Sequence, residues 1–138
     1  MISRLCLLAL STAFFMFTGC ATQHSEKEMN FSASALTKLS AAVDATVRYT
    51  PIPAGVNGTE LLMLSTAEDP TLLEPFKTFK ILARRDGRFS EVLVCEADGS
   101  AALLEDSGCT ARLDRHAWRE KPMTRCEFSL DLAALCQR

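Results

Sequence analysis

The chain has 138 residues, 15 Lys and Arg against 17 Asp and Glu, a formal net charge of −2 and 48% hydrophobic residues. A weakly acidic chain without clustered Lys and Arg lacks the basic surface that nucleic-acid binding requires, so that class of function is excluded. The length suits one domain with a single hydrophobic core and is short for two.

The first residues have the layout of a secretory signal peptide. Arg4 is followed by the uncharged residues 5–17, and two small residues then precede Cys20. The apolar run is shorter than the roughly 20 residues that a membrane-spanning helix needs. The charged start, short apolar middle and small-residue end together predict a segment that is removed on export.

The segment Phe17-Thr18-Gly19-Cys20 resembles the lipobox of bacterial lipoproteins, although Phe17 stands where that motif usually has an aliphatic residue. The resemblance implies that residues 1–19 are removed and that Cys20 carries the lipid. Ala21 follows where Asp would favour the inner membrane, so the resemblance implies lipid anchoring in the outer membrane, with the domain facing the periplasm. The alternatives are an ordinary secretory signal cut near Ala21, with loss of Cys20, and a signal anchor that stays in the membrane.

Cys6 lies in the signal segment and Cys20 is the expected lipid site, which leaves four cysteines: Cys95, Cys109, Cys126 and Cys136. Because these four would enter an oxidising compartment, they predict two disulfides. Four cysteines allow three connectivities, and proximity in sequence favours Cys95–Cys109 with Cys126–Cys136. No Cys-x-x-Cys pair is present, so we expect neither a metal site nor a redox-active pair, and no cofactor.

Residues 20–30 are polar and unpatterned, which predicts a lipidated tether in which His24 is solvated. Residues 31–138 then form one domain. Apolar residues repeat at intervals of three and four over residues 34–47, which predicts an amphipathic helix capped by Asn30 or Ser32. We interpret this helix as packed on a sheet; the alternative is a helix that binds a partner.

The middle of the chain predicts strands. Residues 59–65 are interpreted as a buried strand, and Asp69 with Pro70 begins a short helical turn. Residues 78–85 and 88–95 flank Asp86-Gly87, the strongest short hairpin signal. That turn places Ile81 opposite Val92, and a second turn at Asp98-Gly99 places Val94 opposite Leu103 and Leu93 opposite Leu104.

The C-terminal third predicts the rest of a meander. Residues 105–108 are interpreted as a turn, residues 109–113 as a fourth strand and residues 124–132 as a half-buried strand, although residues 130–136 also suit a helical turn. The predicted fold is therefore α+β, with an N-terminal amphipathic helix packed on an antiparallel β-meander of about five strands and stapled by two disulfides.

The sequence contains none of the motifs that carry common catalytic chemistry, including nucleophile, phosphate-binding and metalloprotease motifs, so we expect no enzyme activity. Adjacent carboxylates such as Glu105 and Asp106 are interpreted as surface charge. One segment has the composition of a binding hot spot, with Arg115, His116, Trp118 and Arg119 close together. The alternative is that Trp118 covers the core beneath a loop.

These observations favour a non-enzymatic outer-membrane lipoprotein that acts as a protein-binding accessory of an envelope complex. Its partners would be the membrane, through the lipid on Cys20, and another envelope protein. The alternative is a small binding domain that inhibits a hydrolase such as lysozyme, or that captures a small apolar ligand.

Overall fold

The computed structural model describes residues 24–109 and 125–136. The described part confirms an α+β fold with an antiparallel sheet and two disulfides. Its helices are α1 (Glu26–Tyr49), α2 (Gly58–Ser65), a 3-10 helix (Pro70–Phe76) and α3 (Leu132–Cys136). Its strands are β1 (Lys80–Asp86), β2 (Phe89–Cys95) and β3 (Ala102–Ser107), paired in the order β1-β2-β3.

Helix α1 begins earlier than predicted, at Glu26, so residues 26–30 of the expected tether are helical. Ser25 caps the helix and accepts a hydrogen bond from the backbone N–H of Glu28 at 3.2 Å. Two acidic residues in the first turn favour this start, because they face the positive end of the helix dipole. Met29 extends the predicted apolar stripe by two turns and is fully buried.

Residues 59–65 belong to helix α2, so the predicted strand is wrong. Asn57 and Glu60 form a reciprocal capping box, with hydrogen bonds of 2.9 and 3.0 Å between each side chain and the backbone N–H of the other. A short apolar run does not distinguish strand from helix by periodicity, and here the cap decides. The helical turn predicted at Asp69 is confirmed as the 3-10 helix, which Asp69 caps.

The sheet has three strands in the described part of the chain rather than about five. One predicted strand is α2. Residues 125–131 keep the predicted alternation of exposed and covered side chains but pair with no described strand, and the chain then forms α3. Of the predicted strand at residues 109–113, all but Cys109 lies outside the described residues.

The first hairpin has the predicted faces but a register shifted by two residues. Ile81 lies opposite Val94, and Asp86 pairs with Phe89, so that Gly87 and Arg88 form the turn. Gly87 has a φ of 58°, which glycine adopts without steric cost. Because side chains alternate with a period of two, a shift of two leaves each one on its predicted face.

The second hairpin slips by one residue through a bulge, and this changes which side chains face the core. Val94 lies opposite Leu104, and Leu93 lies opposite Glu105, with the irregularity between Val94 and Cys95. A one-residue slip moves side chains to the other face. Leu104 therefore enters the main core, and the residues predicted as a turn at 105–107 continue β3 and are buried.

The two faces of the sheet are covered by different parts of the chain. Helices α1 and α2 and the 3-10 helix form a helical layer on one face, where Val92, Val94 and Leu104 meet the main core. Residues 125–136, which we name the C-terminal segment, cover the other face. There a smaller cluster joins Leu93 and Cys95 to Phe128.

Helix α2 approaches strand β1 so closely that its first residue has no room for a side chain. A Cβ at Gly58 would lie 2.1 Å from the carbonyl oxygen of Ala83, a backbone atom that cannot rotate away. We expect Gly58→Ala to lower the free energy of unfolding by about 2–3 kcal/mol, although alanine favours helices. Urea unfolding of Gly58→Ala and of Thr59→Ala, whose side chain is exposed, would measure this. Equal stability of the two variants would contradict the prediction.

Candidate functional site

The structure describes the frame of the predicted binding segment rather than the segment itself. Cys20 and the residues Arg115, His116, Trp118 and Arg119 lie outside the described residues. The structure does describe the residues that border the predicted binding segment, namely Gly108 and Cys109 before it and Arg125 and Cys126 after it. The candidate site is therefore built from the elements that hold those bordering residues.

The two disulfides link Cys95 to Cys126 and Cys109 to Cys136, so the connectivity favoured by sequence proximity is wrong. Cys95 lies opposite Ala102 at the start of β3, whereas Cys109 follows the end of that strand. Strand β3 spans Ala102–Ser107 and Cys109 lies two residues beyond it, so roughly 15–20 Å separate Cys109 from Cys95, which no disulfide can span. Both cysteines bind the C-terminal segment instead.

This connectivity closes residues 110–124 at both ends. Cys109, just before them, is tied to α3, and Cys126, just after them, is tied to the central strand β2. Ser107 supports the first closure, with its Oγ 3.0 Å from the Sγ of Cys109 and 3.3 Å from that of Cys136. The predicted binding segment thus lies between two described ends, each fixed by a disulfide.

A buried polar network holds the C-terminal segment on the sheet between the disulfides. The carboxylate of Glu105 accepts hydrogen bonds from the backbone N–H and the hydroxyl of Ser129, both at 2.6 Å, and from the N–H of Leu130 at 3.4 Å. The Glu105 side chain thus accepts hydrogen bonds from backbone N–H groups that would otherwise pair with a neighbouring strand. The expectation that Glu105 and Asp106 are surface charges is wrong, since each is 2% exposed.

Glu91 is the second carboxylate of this network and is fully buried. Its Oε2 accepts a hydrogen bond of 2.6 Å from Nε of Arg84, its cross-strand partner. Arg84 also donates to the carbonyl oxygen of Leu130 at 3.0 Å, and its guanidinium lies 4.6 Å from the ring centre of Phe128. Arg84 therefore links strands β1 and β2 of the sheet to the C-terminal segment.

The two carboxyl groups have opposite pKa shifts. Burial raises the pKa of Glu91 to about 8; hydrogen bonding with Glu105 and repulsion from its charge add to the rise, and Arg84 opposes it. Burial also acts to raise the pKa of Glu105, but hydrogen bonds from Glu91, from the Ser129 hydroxyl and from the backbone N–H groups of Ser129 and Leu130 outweigh it, and the pKa is lowered. The two opposite shifts favour retention of a proton by Glu91 rather than by Glu105.

Sequence reasoning missed this network, although a signal was present. Glu91 lies inside an otherwise apolar strand, directly across from Arg84 in the observed register. A charged residue at a buried strand position requires a partner. Both carboxyl groups are buried, and Glu105 accepts three hydrogen bonds from the C-terminal segment, so the network suits a structural role.

The chain is also fixed at the N-terminal end, earlier than expected. Nε2 of His24 lies 3.0 Å from Oε2 of Glu96, and its ring centre lies 5.2 Å from that of Phe79. The His24 side chain is 16% exposed, so the expectation that it is solvated is wrong. The folded domain therefore begins four residues after Cys20.

Within residues 24–109 and 125–136, no cluster of His, Cys, Asp and Glu has the arrangement of a metal site. In the same ranges, no helix has the length and apolar character needed to cross a membrane. No protein-family model matches the sequence, and no curated protein or solved structure shows significant similarity to it.

Proposed function

We propose that this protein is a non-enzymatic lipoprotein of the outer membrane that binds another envelope protein as an accessory of an envelope complex. The lipid on Cys20 would attach the domain to the membrane, and the domain would face the periplasm. The lipobox-like Phe17-Thr18-Gly19-Cys20 segment supports this location. Two disulfides also suit an oxidising compartment.

The observation that carries the proposal is the closure of residues 110–124 by the two disulfides. Loops held by a rigid scaffold are common binding elements, because the scaffold fixes their ends and leaves their side chains available. Fixed ends also reduce the conformational entropy that the loop loses on binding. The segment between these ends contains Arg115, Trp118 and Arg119, and Trp and Arg are the residue types most enriched at hot spots.

The proposal predicts that Trp118→Ala weakens partner binding by at least about 30-fold, the effect of losing a hot spot worth about 2 kcal/mol. The measurement is chemical crosslinking of the lipidated protein in native membranes, followed by purification and identification of partners by mass. One envelope protein should be recovered near stoichiometry with the unmodified chain and be depleted with Trp118→Ala.

The matched control is Met63→Ala, which removes a 65% exposed apolar side chain from α2, on the opposite face of the sheet. Its partner recovery and melting temperature should equal those of the unmodified chain. A Trp118→Ala variant that melts earlier but still recovers the partner would contradict the proposal and show that Trp118 covers the core. Recovery of no envelope protein, together with inhibition of a hydrolase, would favour the inhibitor alternative.

A further inference from the structure

Helix α1 exposes one continuous row of side chains along its whole length. The row, which we name the outer ridge, is spaced at intervals of three and four residues, so its members lie on one side of the helix. Every member is exposed, and together they are Lys27, Phe31, Ser34, Lys38, Ala41, Ala45 and Tyr49. The opposite side of α1 forms much of the main core.

The outer ridge has the chemistry of a membrane-surface contact. It contains two lysines and no acidic residue, and its two aromatic side chains, Phe31 and Tyr49, are 65% and 83% exposed. A groove of about 270 Å³ runs beside it, with Leu72 and Pro75 of the 3-10 helix on the far wall. Asp69 also lines this groove, and its carboxylate accepts a hydrogen bond from the backbone N–H of Thr71.

The distribution of exposed apolar side chains points to the same side of the molecule. In the described part of the chain, four large hydrophobic side chains are exposed, and all four belong to the helical layer: Phe31, Tyr49, Met63 and Leu64. The described C-terminal segment, on the opposite face of the sheet, contributes none. Among the described residues, the large exposed apolar side chains therefore lie on the helical side of the sheet.

The position of the anchor brings the outer ridge close to the lipid. His24 is held by Glu96 and Phe79, and four Cα steps separate it from Cys20, a distance of at most about 15 Å. The outer ridge begins at Lys27, three residues after that fixed point. A lipid on Cys20 thus places the first turn of α1 at the membrane surface.

We propose that the outer ridge of α1 rests on the membrane surface, with Lys27 and Lys38 against anionic headgroups and Phe31 and Tyr49 in the interfacial region. The inference rests on the proposed lipidation of Cys20. Lysines near an anionic surface attract it, and aromatic side chains favour the boundary between headgroups and acyl chains. Stable attachment commonly combines a lipid with a second contact, such as a basic patch, and the outer ridge would supply that second contact beside the anchor.

The orientation that follows separates the two functions of the domain. With α1 on the membrane, the sheet lies above it, and the C-terminal segment occupies the far side. The disulfide-closed ends of the predicted binding loop then face away from the lipid.

Photo-crosslinking tests the orientation on the full lipidated chain in vesicles of phosphatidylcholine and phosphatidylglycerol. Benzoylphenylalanine replaces either Phe31, on the outer ridge, or Ala133, an exposed residue of α3. We expect at least about tenfold more lipid adduct, measured by intact mass, from position 31 than from position 133. Equal adduct yields, or a larger yield at position 133, would overturn the inference.

A charge reversal tests the role of the lysines. Lys38→Glu should reduce the lipid adduct at position 31 by about fivefold or more in the anionic vesicles and leave it unchanged in pure phosphatidylcholine. Arg88→Glu, at the exposed hairpin turn, is the matched control and should have no effect. Equal effects of the two reversals would show that net charge, not the outer ridge, attracts the membrane.

The same samples separate failure of the orientation from failure of the anchor. Intact mass reports the lipid on Cys20 independently of any adduct, and its absence would overturn both the anchor and the orientation. A lipidated chain whose adducts show no preference for position 31 would overturn the orientation alone. Crosslinking of position 31 to a protein in native membranes, in place of lipid, would also overturn it and identify the outer ridge as a protein interface.

Discussion

Replacing both Cys95 and Cys126 with alanine is expected to lower the free energy of unfolding by about 4 kcal/mol. The bond closes a sequence separation of 31 residues, for which loss of the chain constraint alone accounts for about 3–4 kcal/mol. Cys95 is also fully buried beside Leu93, so the lost sulfur atoms leave space in the smaller core cluster. The melting temperature should fall by about 15 °C, measured by calorimetry under oxidising conditions.

The control is removal of the other disulfide by replacing Cys109 and Cys136 with alanine. This bond closes a separation of 27 residues, so the effect on chain entropy is similar. Its two cysteines are only partly buried, and less packing is lost. We therefore expect a smaller loss, of about 3 kcal/mol. If removal of the second disulfide lowered the free energy of unfolding more than removal of the first, the smaller core cluster around Cys95 would not contribute the expected packing.

The second large effect is a dependence of stability on pH that originates at Glu91. The pKa of Glu91 is about 8 in the folded chain against an ordinary value of 4.5, so the folded state binds this proton more tightly than the unfolded state. The resulting stabilisation is complete below pH 4.5 and is lost as the pH rises through 8. Because one pKa unit corresponds to about 1.4 kcal/mol, the loss amounts to a few kcal/mol over this range.

Glu91→Gln should remove this dependence, since glutamine is neutral at every pH and has the shape of the protonated acid. We expect the variant to be more stable than the unmodified chain at pH 9 and to show a flatter profile between pH 5 and 9 in urea unfolding. Glu127→Gln, which changes a 65% exposed side chain on the C-terminal segment, should leave the profile unchanged. A steep profile that persists in Glu91→Gln would place the titrating group elsewhere.

Glu105→Gln provides a contrast within the same network. The pKa of Glu105 is lowered in the folded chain, so ionised Glu105 stabilises the fold above the ordinary pKa of glutamate. This stabilisation is lost as the pH falls through the lowered pKa. Glutamine replaces one acceptor oxygen with a donor facing the N–H or hydroxyl of Ser129. The variant should therefore be destabilised at neutral pH, where Glu91→Gln is not.

The fold could be predicted from the sequence wherever a local pattern determines it. The apolar spacing of α1 and the alternation in β1 and β2 give the correct faces, because periodicity directly reports which side is buried. The start of α1 was missed because Ser25 and its cap lie within a stretch whose polar composition resembles a linker. Residues 59–65 were misassigned because the decisive feature, the Asn57 and Glu60 capping box, lies at the edge of the apolar run.

The remaining features depend on contacts between distant parts of the chain. A bulge between Val94 and Cys95 sets the register of β3 and turns Glu105 inward, and no turn residue signals it. The disulfide connectivity follows from which face Cys95 occupies and from what covers that face. The Glu105 site requires Ser129, which is 24 residues away in sequence. Local spacing does not determine such pairings.

The C-terminal segment has a consequence for the order of folding. The disulfide partners of Cys95 and Cys109 and the hydrogen-bond donors to Glu105 all come from residues 126–136, which are synthesised after the three strands of the sheet. Until these residues arrive, one face of the central strand has no cover, and Leu93 and Cys95 are open to solvent. The described domain therefore completes its fold only after these residues have been synthesised, and oxidation of Cys95 requires a partner cysteine that lies 31 residues further along the chain. A chain that ended before residue 126 would carry unpaired thiols and an exposed apolar sheet face, the features by which folding catalysts and proteases recognise unfinished chains.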